Sequence, residues 1–254
     1  MNLPAVEPSL QSPAKSGSRP PGLQTVKLPP VSFVIARFFG ALALLTLFRW
    51  RIEGRDNLPR GGYVVIANHL NWLDSFAVVL AVHWRPLVYM VGWDTVLRSP
   101  KIAWLVRSSG VGFIPLEREQ PTKSPSWQVA WQSMLRCLQE GGVLMLFPEG
   151  TVGHHEGKLM AFHPGFAKVA LAARAAVVPV AISGTRDLWF RKKIVIKIGQ
   201  PIPTGSHDTC SLRDRGRHAV QDLLPVYVEP RGRKLWRRRL TRLIPSLTDT
   251  QADP

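Results

Sequence analysis

The chain has 254 residues, with 45% of them hydrophobic, which suits one sizeable core and excludes a wholly disordered chain. Lys and Arg number 33 against 17 Asp and Glu, a net charge of +16 that points to a polyanionic partner: nucleic acid, an anionic membrane surface or a phosphorylated substrate. The two cysteines, Cys137 and Cys210, are too few for a disulfide framework and lack metal-site spacing.

Residues 1–30 carry seven prolines and no hydrophobic period, and read as a disordered arm. Residues 31–48 are apolar except for Ser32, Arg37 and Thr46. A full membrane span needs roughly 20 apolar residues. The segment therefore reads as a helix lying in one leaflet, with a buried core helix as the alternative. Arg49, Trp50 and Arg51 follow as an interface-anchor pattern, so a membrane-associated helix is expected over 31–51.

From residue 52 the pattern changes. Apolar runs bounded by turn residues predict strands at 63–68, 87–91, 110–116, 142–147, 177–182 and 194–198. Helices are expected at 72–82, 127–139 and 165–175. This alternation predicts an α/β domain over 52–205, with a largely parallel central sheet flanked by helices. The tail, 206–254, begins polar. Residues 231–242 then hold seven Arg/Lys and no acid, with Leu235, Trp236, Leu240, Leu243 and Ile244 at helical spacing. A basic amphipathic helix against anionic lipid is the preferred reading; a solvated or nucleic-acid-binding tail is the alternative.

Four stretches can carry chemistry. In NHLNWLD (68–74), His69 follows a buried strand, at the sheet edge where ligands bind. Asp74, five residues on, reaches it only if His69 sits in the turn and Asp74 in the first turn of the next helix. A carboxylate on one imidazole nitrogen would fix the tautomer and leave the other free to take a proton. In GFIPLER (112–118), Arg118 at a strand end could clamp a phosphate or form a surface ion pair. In LFPEGT (146–151), Gly150 permits close backbone approach, and Glu149 could bind hydroxyls. In VVPVAISGT (177–185), Pro179 argues for an edge, bulge or strand end.

Taken in order, these stretches resemble the motif series of the glycerolipid acyltransferase family, typified by bacterial 1-acylglycerol-3-phosphate acyltransferases. GRDNLPRGG (54–62) and IKIGQPIP (196–203) are also similar to it, and the resemblance covers roughly 52–203. It implies transfer of an acyl chain from acyl-CoA or acyl-carrier protein to the free hydroxyl of a lysophospholipid, most simply 1-acylglycerol-3-phosphate. His69 would be the base and Asp74 its orienting partner. Arg118 would bind the acceptor phosphate, and Glu149, Gly150 and Thr151 would position the head group. No metal or other cofactor is implied, and the expected place is the cytoplasmic face of the cell membrane.

The chain departs from the family where an Arg often follows the Thr: here it has Val152. It also has His163-Pro164-Gly165 where a basic residue is common before a Gly, and Lys158 could substitute in part. Both departures touch phosphate recognition, so another lyso-lipid such as a lyso-aminolipid stays open as acceptor. A catalytically silent lipid-binding relative is the alternative of a different class. Nucleic acid is not supported by any zinc-finger, helix-turn-helix or RNA-binding pattern. Nothing in the sequence sets an oligomeric state.

Overall fold

The computed structural model describes residues 42–82, 88–98, 111–117 and 125–244, together with helical positions 100, 103 and 106. Among the described residues seven strands form one sheet: β1 (Arg49–Glu53), β2 (Tyr63–Ala67), β3 (Val88–Trp93), β4 (Gly112–Leu116), β5 (Val143–Leu146), β6 (Ala176–Ser183) and β7 (Lys193–Ile198). Their order is β1-β7-β6-β2-β5-β3-β4. Every pairing is parallel except β6 with β7. The short return from β6 to β7 accounts for the exception, because parallel neighbours need a long crossover.

Among the described residues, beside the helical stretch 42–47 and the helical positions 100, 103 and 106, the helices are α1 (Leu73–Ala81), α2 (Pro125–Gln139), α3 (Gly165–Ala173), α4 (Thr209–Leu223) and α5 (Arg237–Thr241). β2 is central and buried at every residue, as expected for a strand covered on both faces. Its side chains alternate between two cores. Val64 and Ile66 join Met134 of α2, Phe166 and Val169 of α3, and Leu212 and Val220 of α4. Tyr63, Val65 and Ala67 join Ala77 and Val78 of α1. In β6 the antiparallel register slips by one residue between Val180↔Ile198 and Val177↔Ile202, and Pro179 lies in that break.

Three expectations change. The helix expected over 31–51 cannot run to its end, because residues 49–51 belong to β1, paired to β7. Trp50 and Ile52 are half-buried between exposed Arg49 and Arg51, a period of two rather than 3.6. Residues 42–47 are helical, and 31–41 lie outside the described residues. No helix among the described residues is long and apolar enough to cross a membrane.

The boundary expected at 205 falls short of the core. Asp208 closes a capping box with Ser211, and Leu212, Gly216 and Val220 of α4 form one buried stripe.

The basic amphipathic helix expected in the tail is reduced, among the described residues, to the five residues of α5. Trp236 stands at its start with φ 61°, a left-handed conformation that a helix cannot pass through.

Candidate active site

The carboxyl ends of β2, β5 and β3 lie side by side, so the turns that follow them meet. Asn68 locks the first of these turns to β6: its Nδ2 donates to the Ile182 carbonyl at 2.9 Å, and its Oδ1 accepts from the Ile182 N–H at 2.8 Å. The next residue, His69, is held with its Nδ1 2.9 Å from Oδ2 of Asp74. Asp74 sits in the first turn of α1 and is wholly buried. Its Oδ2 also accepts the backbone N–H groups of Leu70 and, at 2.7 Å, of Asn71. The five-residue spacing thus closes a loop in which one carboxylate oxygen gathers both the turn and the imidazole.

The His69 ring is stacked on Phe147, with centroids 4.2 Å apart and planes 16° apart. Phe147 follows β5, the strand beside β2, so the stacking follows from sheet order. Only 13% of the His69 side chain is exposed, and its Nε2 has no partner among the described residues. The arrangement therefore offers a fixed imidazole with one nitrogen engaged and one open, as a general base requires.

Glu149, expected to help position the head group, is engaged by backbone donors. It is buried; Oε1 accepts the His69 N–H at 3.1 Å, and Oε2 accepts the Met160 N–H at 2.9 Å. Each oxygen accepts one backbone N–H, so Glu149 braces the His69 turn against the segment that carries Met160. Burial pushes its carboxyl above the usual range, and the two backbone N–H groups and His69 oppose that push.

Gly150 has φ 69°, and a Cβ there would lie 3.0 Å from Cδ2 of His163. Its carbonyl accepts from Trp93 Nε1 at 3.1 Å, which ties the turn after β5 to the end of β3. Thr151 is half-buried beside it, and Val152 is buried. The Gly153 N–H returns to the His69 carbonyl at 2.7 Å. Lys158 is exposed. Arg118, two residues past β4, lies outside the described residues.

Two further residues carry the site without having been singled out from the sequence. Asn71 is fully buried; its Oδ1 caps the Trp72 N–H at 2.7 Å, and its Nδ2 donates to the Arg186 carbonyl at 3.1 Å. Glu156 accepts from the N–H groups of Gly184 at 2.6 Å and Arg186 at 3.1 Å, which holds the turn after β6 against the site. Burial raises its carboxyl too. Two Asn residues within seven positions after a buried strand were the available signal for Asn71. Glu156 leaves none, since its partners are backbone.

The sequence profile of the family described as Acyltransferase matches residues 49–183. The lyso-ornithine lipid O-acyltransferase of Pseudomonas aeruginosa is 33% identical over 210 residues, covering 74% of this chain and 75% of that protein. That of Rhodobacter capsulatus is 32% identical over 142 residues, covering 56% of this chain and 44% of that protein. The human 1-acyl-sn-glycerol-3-phosphate acyltransferase alpha is 28% identical over 184 residues, covering 68% of this chain and 62% of that protein. The chain thus spans less than two thirds of the last two relatives. The crystal structure of the 1-acyl-sn-glycerophosphate acyltransferase of Thermotoga maritima superposes with a TM-score of 0.61 at 21% identity, over 78% of this chain and 81% of that one, so the two share a fold. The family profile runs from the first residue of β1 to the last of β6, and the chain belongs to the acyltransferase family.

Proposed function

We propose that the protein transfers an acyl chain from a thioester to the free hydroxyl of a lyso-lipid, with His69 as general base and Asp74 as its orienting partner. The observation that carries this reading is the buried Asp74 carboxylate 2.9 Å from His69 Nδ1, which leaves Nε2 open. In the reaction Nε2 takes the acceptor's hydroxyl proton as its oxygen attacks the thioester carbonyl. The tetrahedral intermediate then expels the thiolate, which takes the proton back from the imidazolium. Asp74 stabilises that imidazolium. The acyl donor is acyl-CoA or an acyl-carrier protein, and the enzyme works on the cytoplasmic face of the cell membrane.

The first acceptor reading is 1-acylglycerol-3-phosphate, with Arg118 on its phosphate and the turn from Gly150 to Thr151 beside the head group. A specific observation favours a second reading, a lyso-aminolipid. The residue after Thr151 is an aliphatic side chain buried in the protein, so that position presents no cation to a phosphate.

The test is an assay of purified full-length protein with labelled acyl-CoA and a panel of lysolipids that includes both acceptors. Transfer that disappears in His69→Ala, with the fold retained by circular dichroism, is the expected result. Undiminished transfer in that variant refutes the base assignment. Transfer to 1-acylglycerol-3-phosphate that is unaltered in Arg118→Ala removes Arg118 from phosphate recognition.

A further inference from the structure

We propose that residues 235–244 form a strap that orders the catalytic turn, and that an anionic lipid surface tightens it, so that lipid binding raises turnover. The proposal rests on the acyl-transfer reading for its kinetic consequence but not for the strap itself.

The inner side of the strap is bound to the turn that carries His69. Leu240 is buried in a cluster with Phe48, Trp72, Leu73, Leu188 and Ile194. Its carbonyl accepts Trp72 Nε1 at 3.0 Å. The Thr241 carbonyl accepts Asn71 Nδ2 at 3.5 Å, and Thr241 Oγ1 accepts the Leu188 N–H at 2.9 Å and donates to the Leu188 carbonyl at 3.3 Å. Asn71 is the residue whose own N–H reaches Asp74, so the strap holds the segment between the base and its partner.

The outer side has the chemistry of an anionic lipid surface. Leu235, Trp236 and Leu243 are 53%, 55% and 60% exposed, so three large apolar side chains face solvent among the arginines. The Trp236 ring packs on the exposed Phe190 at 5.3 Å. Phe190 donates its N–H to the Leu235 carbonyl and Arg191 donates to that of Leu47, which joins the helical residues 42–47, with exposed Leu42 and Leu45, to the same loop. Arg237 pairs with Asp187 at 2.6 Å and Lys234 with Glu229, whereas Arg231, Arg233, Arg238, Arg239 and Arg242 have no acidic partner among the described residues. An interfacial Trp among arginines matches the boundary of an anionic leaflet.

The strap is also weak by construction. α5 has five residues, too few for a helix that holds itself, and residues 224–234 contain no helix or strand. Like charges within a turn of one another repel. The docked state is therefore one of low local stability, and a ligand that favours it shifts its population by mass action. An anionic bilayer does so by neutralising the arginines and receiving Trp236. The structure thus assigns Trp72 and Thr241 as positioning residues.

The experiment follows amide hydrogen exchange over residues 68–75 of the full-length protein. It is read with vesicles of equal parts phosphatidylglycerol and phosphatidylcholine, and with phosphatidylcholine alone. Anionic vesicles are expected to slow exchange there in the wild type and equally in inactive His69→Ala. The slowing should be smaller in Trp72→Phe, which keeps a ring and loses the donor, and by linkage that variant should bind the same vesicles correspondingly more weakly. On anionic vesicles Trp72→Phe and Thr241→Val should lose about tenfold in kcat, with the lysolipid KM within about twofold of wild type. Should Trp72→Phe fail to fold, Thr241→Val carries both readouts. Failure to bind anionic vesicles, exchange indifferent to vesicle charge, or full kcat in the variants overturns the proposal. If no lysolipid accepts an acyl chain, the acyl-transfer reading falls while the exchange measurement still decides the strap.

Discussion

Asp74 Oδ2 and His69 Nδ1 are 2.9 Å apart, and the same oxygen accepts two backbone N–H groups of the intervening turn. The carboxylate is thus fixed by the backbone before it meets the ring. Asp74→Asn keeps the shape, removes the charge proposed to stabilise an imidazolium at His69 and can present an NH₂ group to Nδ1. A loss of about 10²–10⁴-fold in kcat is expected, with KM little changed. Steady-state kinetics on protein of wild-type circular dichroism check it, and a loss confined to KM would contradict the assignment.

Glu149 joins the backbone of the His69 turn to that of Met160. Glu149→Gln replaces one accepting oxygen by an NH₂ group that faces a backbone N–H. One buried donor is left unmet, at a cost of about 1–3 kcal/mol. The expected result is lower thermal stability, faster amide exchange at His69 and reduced kcat, with the acceptor KM kept. A head-group ligand would show the reverse split, with a raised KM and an undisturbed fold.

The contrast between Asp74 and Glu149 shows which parts of this molecule the sequence reveals. His69 and Asp74 meet within one strand–turn–helix, so their spacing suffices. The inward turn of Glu149 depends on backbone donors on two other segments, which leave no mark in the residue types. The same limit governs the fold. β2, β5 and β6 are buried on both faces and read as continuous apolar runs. β1 alternates at an edge, and its Trp50 and Arg residues directly after an apolar run read as the end of a helix. α4 escapes because its buried stripe is only Leu212, Gly216 and Val220 among charged neighbours.

Gly150 holds φ 69° in the turn after β5. Gly150→Ala forces a Cβ into left-handed backbone, at about 1–2 kcal/mol. The added contact with the exposed His163 side chain is relieved by movement of that ring. Gly150→Asn should lose less, because Asn tolerates this conformation. Urea unfolding of the three proteins tests the order; equal loss in Ala and Asn would show that space, not φ, sets the cost.

Lys192 supplies the pH prediction. Its ammonium is buried, donates to the Asp187 carbonyl at 2.7 Å and the Tyr227 hydroxyl at 3.0 Å, and lies 3.9 Å from the Trp189 ring centroid. Burial lowers its pKa from 10.5 to about 8, against the pull of Glu156 and Asp187. The unfolded chain therefore binds more protons than the folded one between about pH 8 and 10.5, and stability contributed by this group rises with pH across that window. Below pH 8 both states are charged and the full burial penalty is present. Cys137, raised by burial from 9.0 to about 12, acts in the opposite sense from about pH 8 upward. Tyr63 and Tyr227, each raised by burial from 10.0 to about 12, join it above pH 10. Over pH 8 to 9 the Lys192 contribution to the unfolding free energy should climb by about 1 kcal/mol, partly offset by the smaller opposing contribution of Cys137. Lys192→Met keeps the apolar stem over Trp189 and removes the titration, so its profile should lack the climb and fall slightly over that interval as the unfolded Cys137 thiol ionises. Denaturant titrations at closely spaced pH values decide the matter, and parallel profiles for the two proteins would mean that Lys192 does not titrate in this range.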